Sequence, residues 1–181
     1  VALPALALLS PIYLLIAVIV KNTDHGPALF RHKRIGLNGE EFECLKFRTM
    51  VPNAQERLSH ILATDPIAAA EWSRDQKLKN DPRVTSIGRF MRKTSLDELP
   101  QLMNIIKGEM SVVGPRPIVR SEVDKYGSSF AHYAAVKPGV TGMWQVAGRN
   151  DTTYEERVQL DVEYSRRWSI WLDVKILFLT I

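Results

Sequence analysis

The stretch Thr94-Ser95-Leu96-Asp97-Glu98-Leu99-Pro100 sets two carboxylates side by side. Acids placed this way can serve as a nucleophile or as oxygen ligands for a hard cation in phosphate chemistry. Ser95 and Glu98 have capping-box spacing, which predicts a helix from Ser95 to about Lys107 with Gly108 as its stop. Asp97 and Glu98 then lie in the first turn, where the positive helix end keeps carboxylates ionised and draws in phosphate. Two acids cannot close a metal cage, but Mg²⁺ commonly takes one or two carboxylates and completes its shell with water and substrate phosphate. Taken alone, the pattern is more often a capped helix with two solvated acids, so the rest of the chain must decide.

Basic residues supply the complementary charge. In Lys46-Phe47-Arg48, residues two apart along a strand share a facing, so both cations are predicted to project together. A solvated strand face would look the same. Arg116 stands in Gly114-Pro115-Arg116-Pro117, where flanking prolines fix the backbone and make the guanidinium a pre-organised fork for phosphate oxygens. Lys137 to Gly142, then Trp144-Gln145 and Gly148-Arg149-Asn150, form a second Gly-rich region whose backbone could approach a ligand closely. It matches neither a Walker sequence nor a dinucleotide fingerprint, and an ordinary loop would look the same. The four histidines have no zinc-ligand spacing with Cys44.

These side chains must be held by elements the sequence also outlines. Leu29 to Met50 reads as a hairpin turning at Gly36-Leu37-Asn38-Gly39. Ala54 to Lys79 reads as helices interrupted near Asp65-Pro66, and Gly114 to Pro117 as a rigid loop. Tyr154 to Trp168 reads as a polar helix, and the Trp-rich, aliphatic Trp168 to Ile181 as an amphipathic helix suited to a membrane interface.

The first twenty residues carry no charge and are long enough to reach across a bilayer. Ser10-Pro11 interrupts this run, predicting a kink or break, and both a kinked spanning helix and a helix that turns back satisfy the residues. Lys21 and the Arg31-His32-Lys33-Arg34 cluster place the polar remainder of the chain on the cytoplasmic side by the positive-inside rule. No basic region precedes the apolar run as a secretory signal requires, and further sequence is expected upstream of Val1. The division expected is therefore 1–22 as membrane helix and 23–181 as cytoplasmic domain, the part that carries the candidate chemistry.

The 181 residues, 45% hydrophobic and 24% charged, suffice for a packed core and argue against disorder. A net charge of +4 favours anionic partners without choosing among them. A single cysteine excludes an intramolecular disulfide and suits a reducing compartment. Aromatic residues are too few, at 8%, to interleave with the cations as a nucleic-acid surface requires.

Five stretches in order, Lys46 to Met50, Asp81 to Thr85, Arg92 to Leu102, Gly114 to Pro117 and Lys137 to Gly142, resemble the bacterial sugar transferases, the monotopic phosphoglycosyl transferases of polyprenyl-phosphate hexose-1-phosphate type. The resemblance implies an α+β fold, mainly helical, with a re-entrant N-terminal helix broken at Ser10 and Pro11, a small β-hairpin and interfacial helices. It implies that Asp97 is the nucleophile and that Glu98, with Asp97, holds Mg²⁺. Lys46, Arg48, Arg116 and Arg149 would bind a UDP-sugar, whose hexose 1-phosphate, galactose or glucose, passes to undecaprenyl phosphate at the inner membrane's cytoplasmic face, beginning O-antigen or exopolysaccharide assembly. A homodimer is a further expectation.

Overall fold

The computed structural model describes residues 2–75, 78–148 and 152–180 and is α+β, mostly helical with two small sheets. Contacts divide the chain into two compact units. Unit 1 takes 1–8, 31–45 and 100–181, and unit 2 takes 9–30 and 46–99.

Unit 2 contains most of α1 (Ala2–Asp24), together with α2 (Ala54–Thr64), α3 (Pro66–Asp75) and α4 (Ser86–Thr94). Among the described residues α1 is the one helix long and apolar enough to cross a membrane, and only 11% of its apolar window is buried. Leu8, Leu14 and Leu15 are exposed, while Ile16 and Val20 pack with Phe47 and Met91 into the core of unit 2. The helix continues through Ser10 and Pro11 without interruption. A proline removes one backbone donor and bends a helix, but the remaining ladder can carry the element onward. The boundary between units falls at Leu8 and Leu9, just before that pair.

The predicted hairpin is present as β1 (Leu29–Ile35) and β2 (Glu41–Phe47), paired in one sheet and joined through Asn38 and Gly39 at positive φ. The predicted interruption between α2 and α3 falls at Asp65, whose carboxylate accepts from the amides of Ile67 and Ala68 and so starts the new helix. Thr85 caps α4 by accepting from the Gly88 amide at 3.0 Å.

Unit 1 is built from α5 (Gln101–Lys107), β3 (Ser111–Val113), α6 (Val123–Tyr126), α7 (Phe130–Ala134), β4 (Gly139–Thr141), α8 (Met143–Val146), α9 (Tyr154–Arg167) and α10 (Ile170–Thr180). Strands β3 and β4 pair in parallel, Ser111 with Gly139 and Val113 with Thr141. Gly108, at φ 81°, ends α5 as predicted, and a capping box between Thr153 and Glu156 opens α9. Buried Asn104 ties α5 to β2, accepting from the Leu45 amide and donating to the Glu43 carbonyl.

The C-terminal helix differs from a simple amphipathic one. Ile176 is buried with Val113 and Tyr164, yet Ile170, Trp171 and Phe178 are more than 70% exposed. Its acid, Asp173, accepts a hydrogen bond from the Tyr164 hydroxyl. The face turned from the core is thus largely apolar, with Lys175 as an exposed charge, a surface that water disfavours and an interfacial environment accepts.

Candidate active site

In unit 2 the end of β2 and the turn after α4 bring Lys46 to Glu98. Lys46 Nζ donates to Glu98 Oε1 at 2.6 Å, with side chains 30% and 33% exposed. Beside them Asp97 is only 9% exposed. The turn is built by its apolar neighbours: Leu96 and Leu99 pack against the cluster of Phe47 and Met91, which fixes the two acids between them.

This geometry corrects the predicted capping box. Ser95 is left-handed at φ 56° and closes α4, its amide bonding to the Met91 carbonyl, and its side chain makes no cap. Leu96 to Glu98 form one 3₁₀ turn, and α5 begins only at Gln101. The Glu98 carboxylate is drawn to Lys46, a charged partner that a backbone amide does not match. The acids therefore precede the helix and owe their placement to packing rather than to its first turn.

Burial pushes the Asp97 carboxyl above its ordinary range; Lys46 opposes this, Glu98 adds to it and Arg92 opposes it. Arg92 is a cation that strand and helix spacing did not single out. Its Nε donates to Thr49 Oγ1 at 2.9 Å, and the Thr49 carbonyl accepts the Thr85 amide. A Cβ on Gly88 would lie 2.1 Å from that carbonyl, so α4 can approach Thr49 this closely only with glycine there. The signal was present in sequence, since Arg92 lies in the same Arg92 to Leu102 stretch as the acids.

Arg48 does not project with Lys46, and the expectation that both face one ligand is corrected. It is buried, and its guanidinium donates to the Pro27, Met50 and Val20 carbonyls and to both carboxylate oxygens of Asp24. Residue 48 lies just beyond the last residue of β2, so strand alternation no longer governs it, and a five-donor fork closes the end of α1 instead.

Arg116 belongs to unit 1, where its guanidinium lies 5.9 Å from the Trp144 ring centre; Arg157 lies 4.9 Å from the same ring. The loop carrying Arg116 is held by backbone, with Gly114 donating to Thr141 and Gly139 donating to Pro115, and by the Arg34 guanidinium, which donates to the Pro117 carbonyl. Cβ atoms on Gly114, Gly139 or Gly142 would fall within 2.1–2.3 Å of main-chain atoms. These glycines let chain approach chain, and Gly139 and Gly142, whose backbone could have approached a ligand, are used in this way. Arg149 lies outside the described residues.

No group of three or more His, Cys, Asp or Glu residues able to hold a metal is present among the described residues. Asp97 and Glu98 supply two hard oxygen donors, a partial set that fits a cation completing its shell with water and phosphate.

A family model described as bacterial sugar transferase matches residues 1–181. The chain is 53% identical over 180 residues to the UDP-galactose-lipid carrier transferase of Erwinia amylovora, covering 99% of this chain and 38% of that protein. It is 57% identical over 157 residues to the undecaprenyl-phosphate galactose phosphotransferase of Salmonella typhimurium, covering 87% and 33%. It is also 51% identical over 177 residues to the exopolysaccharide production protein ExoY of Rhizobium meliloti, covering 98% and 78%. The chain belongs to the bacterial sugar transferase family. It spans little more than a third of the length of the Erwinia relative and a third of the Salmonella one.

Proposed function

We propose that this chain is the catalytic part of a phosphoglycosyl transferase that moves a hexose 1-phosphate from a UDP-sugar to undecaprenyl phosphate. The observation that carries the reading is the three-residue turn that holds a buried acid, Asp97, next to a Lys46–Glu98 pair in a chain of this family. The names of the Erwinia and Salmonella relatives supply the donor and acceptor classes, and that of the Rhizobium relative an outlet in exopolysaccharide assembly; an O-antigen outlet rests on the resemblance.

In the first step an Asp97 carboxylate oxygen attacks the β-phosphorus of the donor. The bond from that phosphorus to the bridging oxygen breaks, and UMP leaves with the electron pair. In the second step a phosphate oxygen of the lipid attacks the same phosphorus, and Asp97 leaves as carboxylate. Mg²⁺ held by Asp97 and Glu98 would neutralise charge on the diphosphate. Lys46 is positioned to add charge on the same side, while Arg116 and Arg149 are proposed contacts to the donor. The exposed apolar surfaces of α1 and α10 suit docking at the inner membrane's cytoplasmic face, with the lipid phosphate presented at the interface; re-entry of α1 would require a sharp bend at Ser10-Pro11 within the continuous helix.

The test monitors UMP release from UDP-galactose and UDP-glucose with Mg²⁺ and undecaprenyl phosphate, together with intact-protein mass spectrometry after incubation with donor alone. A hexose-phosphate adduct on Asp97, absent in Asp97→Asn, is the expected result. Full turnover in Asp97→Asn rejects the mechanism. A reporter fused ahead of Val1 should be cytoplasmic, and periplasmic detection rejects re-entry.

A further inference from the structure

Glu98 is needed for the proposed cation, yet in this structure it is held by another cation. The Lys46 ammonium stands 2.6 Å from Glu98 Oε1 and also acts on Asp97 more strongly than Arg92 does. It is thus the main counter-cation of the two acids. The two partners of the pair are not equally free to move. Glu98 sits in a single turn whose flanking leucines are packed into the core. Lys46 carries three donors on a flexible four-carbon stem, and its side chain is 30% exposed.

Resting on the transfer reading above, we infer that Lys46 is a resident counter-cation that a divalent ion must displace from Glu98, and that the donor diphosphate takes up the released ammonium. The consequence is coupling between the two ligands. With no diphosphate present, a metal must break the Lys46–Glu98 pair and leave an ammonium beside a dication, so its affinity for the free protein is held down. With a diphosphate present, the ammonium gains phosphate oxygens as partners and the metal gains Glu98. Metal and donor then each tighten the other's binding by the same factor, as linkage requires. The lysine thereby discourages metal binding before substrate arrives, without itself touching the metal.

The test uses Mn²⁺ as the probe, read by electron paramagnetic resonance of free Mn²⁺ on the purified protein in detergent, with and without UDP and with no turnover. Lys46→Met should bind Mn²⁺ about two- to fivefold more tightly than wild type in the absence of UDP, the size set by release of one partly exposed ion pair. The same variant should lose most of the tightening that UDP confers on wild type. Lys46→Arg, which keeps the charge, should retain weak Mn²⁺ binding without UDP. Glu98→Gln should bind Mn²⁺ more weakly than wild type with UDP present. Mn²⁺ affinity in Lys46→Met that is unchanged or lower than wild type overturns the exchange, as does unchanged affinity in Glu98→Gln. Neither result touches the transfer reading, which stands or falls on the Asp97 adduct; circular dichroism of each variant confirms that the comparison is between folded proteins.

Discussion

The acid turn at Leu96–Glu98 and the paired loops at Gly114–Pro117 and Gly139–Gly142 are both short, motif-dense stretches next to prolines, and they use their residues in opposite ways. In the acid turn, leucines are consumed by packing, and of the polar side chains between them Glu98 is a third exposed beside Lys46 while Asp97 is buried. In the paired loops the backbone is consumed: amides of Gly114 and Gly139 bond across, and main-chain atoms stand where a side chain would begin. A motif whose polar atoms are already satisfied by the fold builds the fold, and a motif that holds charged side chains in a tight cluster without satisfying them through backbone is available for chemistry.

The sharpest way to break this contrast is to damage each region and ask what is lost. Asp97→Asn should lower turnover by at least about a thousandfold, as loss of a covalent nucleophile does, with an unfolding midpoint near that of wild type. Arg48→Met tests a residue of the same unit as the acids that behaves like the loops. It should cost about 3–5 kcal/mol of stability, because it leaves a partly buried Asp24 carboxylate and several carbonyls without their donor. Denaturant unfolding measures this, and Arg48→Lys should not restore it, since one ammonium cannot replace the fork. A variant of normal stability that had lost only donor affinity would return Arg48 to the substrate site. Gly114→Ala should cost about 3 kcal/mol, the upper part of the overpacking range, because the new methyl meets the Lys137 carbonyl and the Gly139 amide rather than a movable side chain.

Period and turn chemistry made much of the architecture legible. The apolar run of α1, the turn at Asn38-Gly39, the restart at Asp65-Pro66 and the stop at Gly108 are all local events, decided by residues that touch their sequence neighbours. The features that sequence left open were decided by partners distant along the chain. Glu98 has capping-box spacing but sits 52 residues from the lysine that claims it. Arg48 has strand spacing from Lys46 but is claimed by Asp24, 24 residues earlier. Arg92 is held through Thr49, 43 residues earlier, which no local spacing reveals. Residue type and order located the acids; the assignment of each cation to structure or to chemistry required the fold.

The smallest predicted effect per step lies in unit 1, and it separates a buried acid that builds the fold from one that works. Asp161 is 2% exposed and accepts a hydrogen bond from the Tyr126 hydroxyl at 2.6 Å. Burial pushes its carboxyl up to about 7, against the opposing pull of that hydrogen bond and of Arg116. The unfolded chain releases this proton near the ordinary carboxylate value of about 3.9, so between there and about 7 the native state holds the proton that the unfolded state has lost. Stability from this group is therefore complete below about pH 4 and declines as pH rises towards 7, by at most about 1.4 kcal/mol per pH unit. Asp161→Asn keeps an acceptor for Tyr126 and removes the proton, so denaturant midpoints measured from pH 4.5 to 7.5 should lose that decline. If the variant shows the same slope as wild type, the acid is ionised throughout and the pocket around it accommodates charge, which would move Asp161 from the group that builds the fold towards the group that acts.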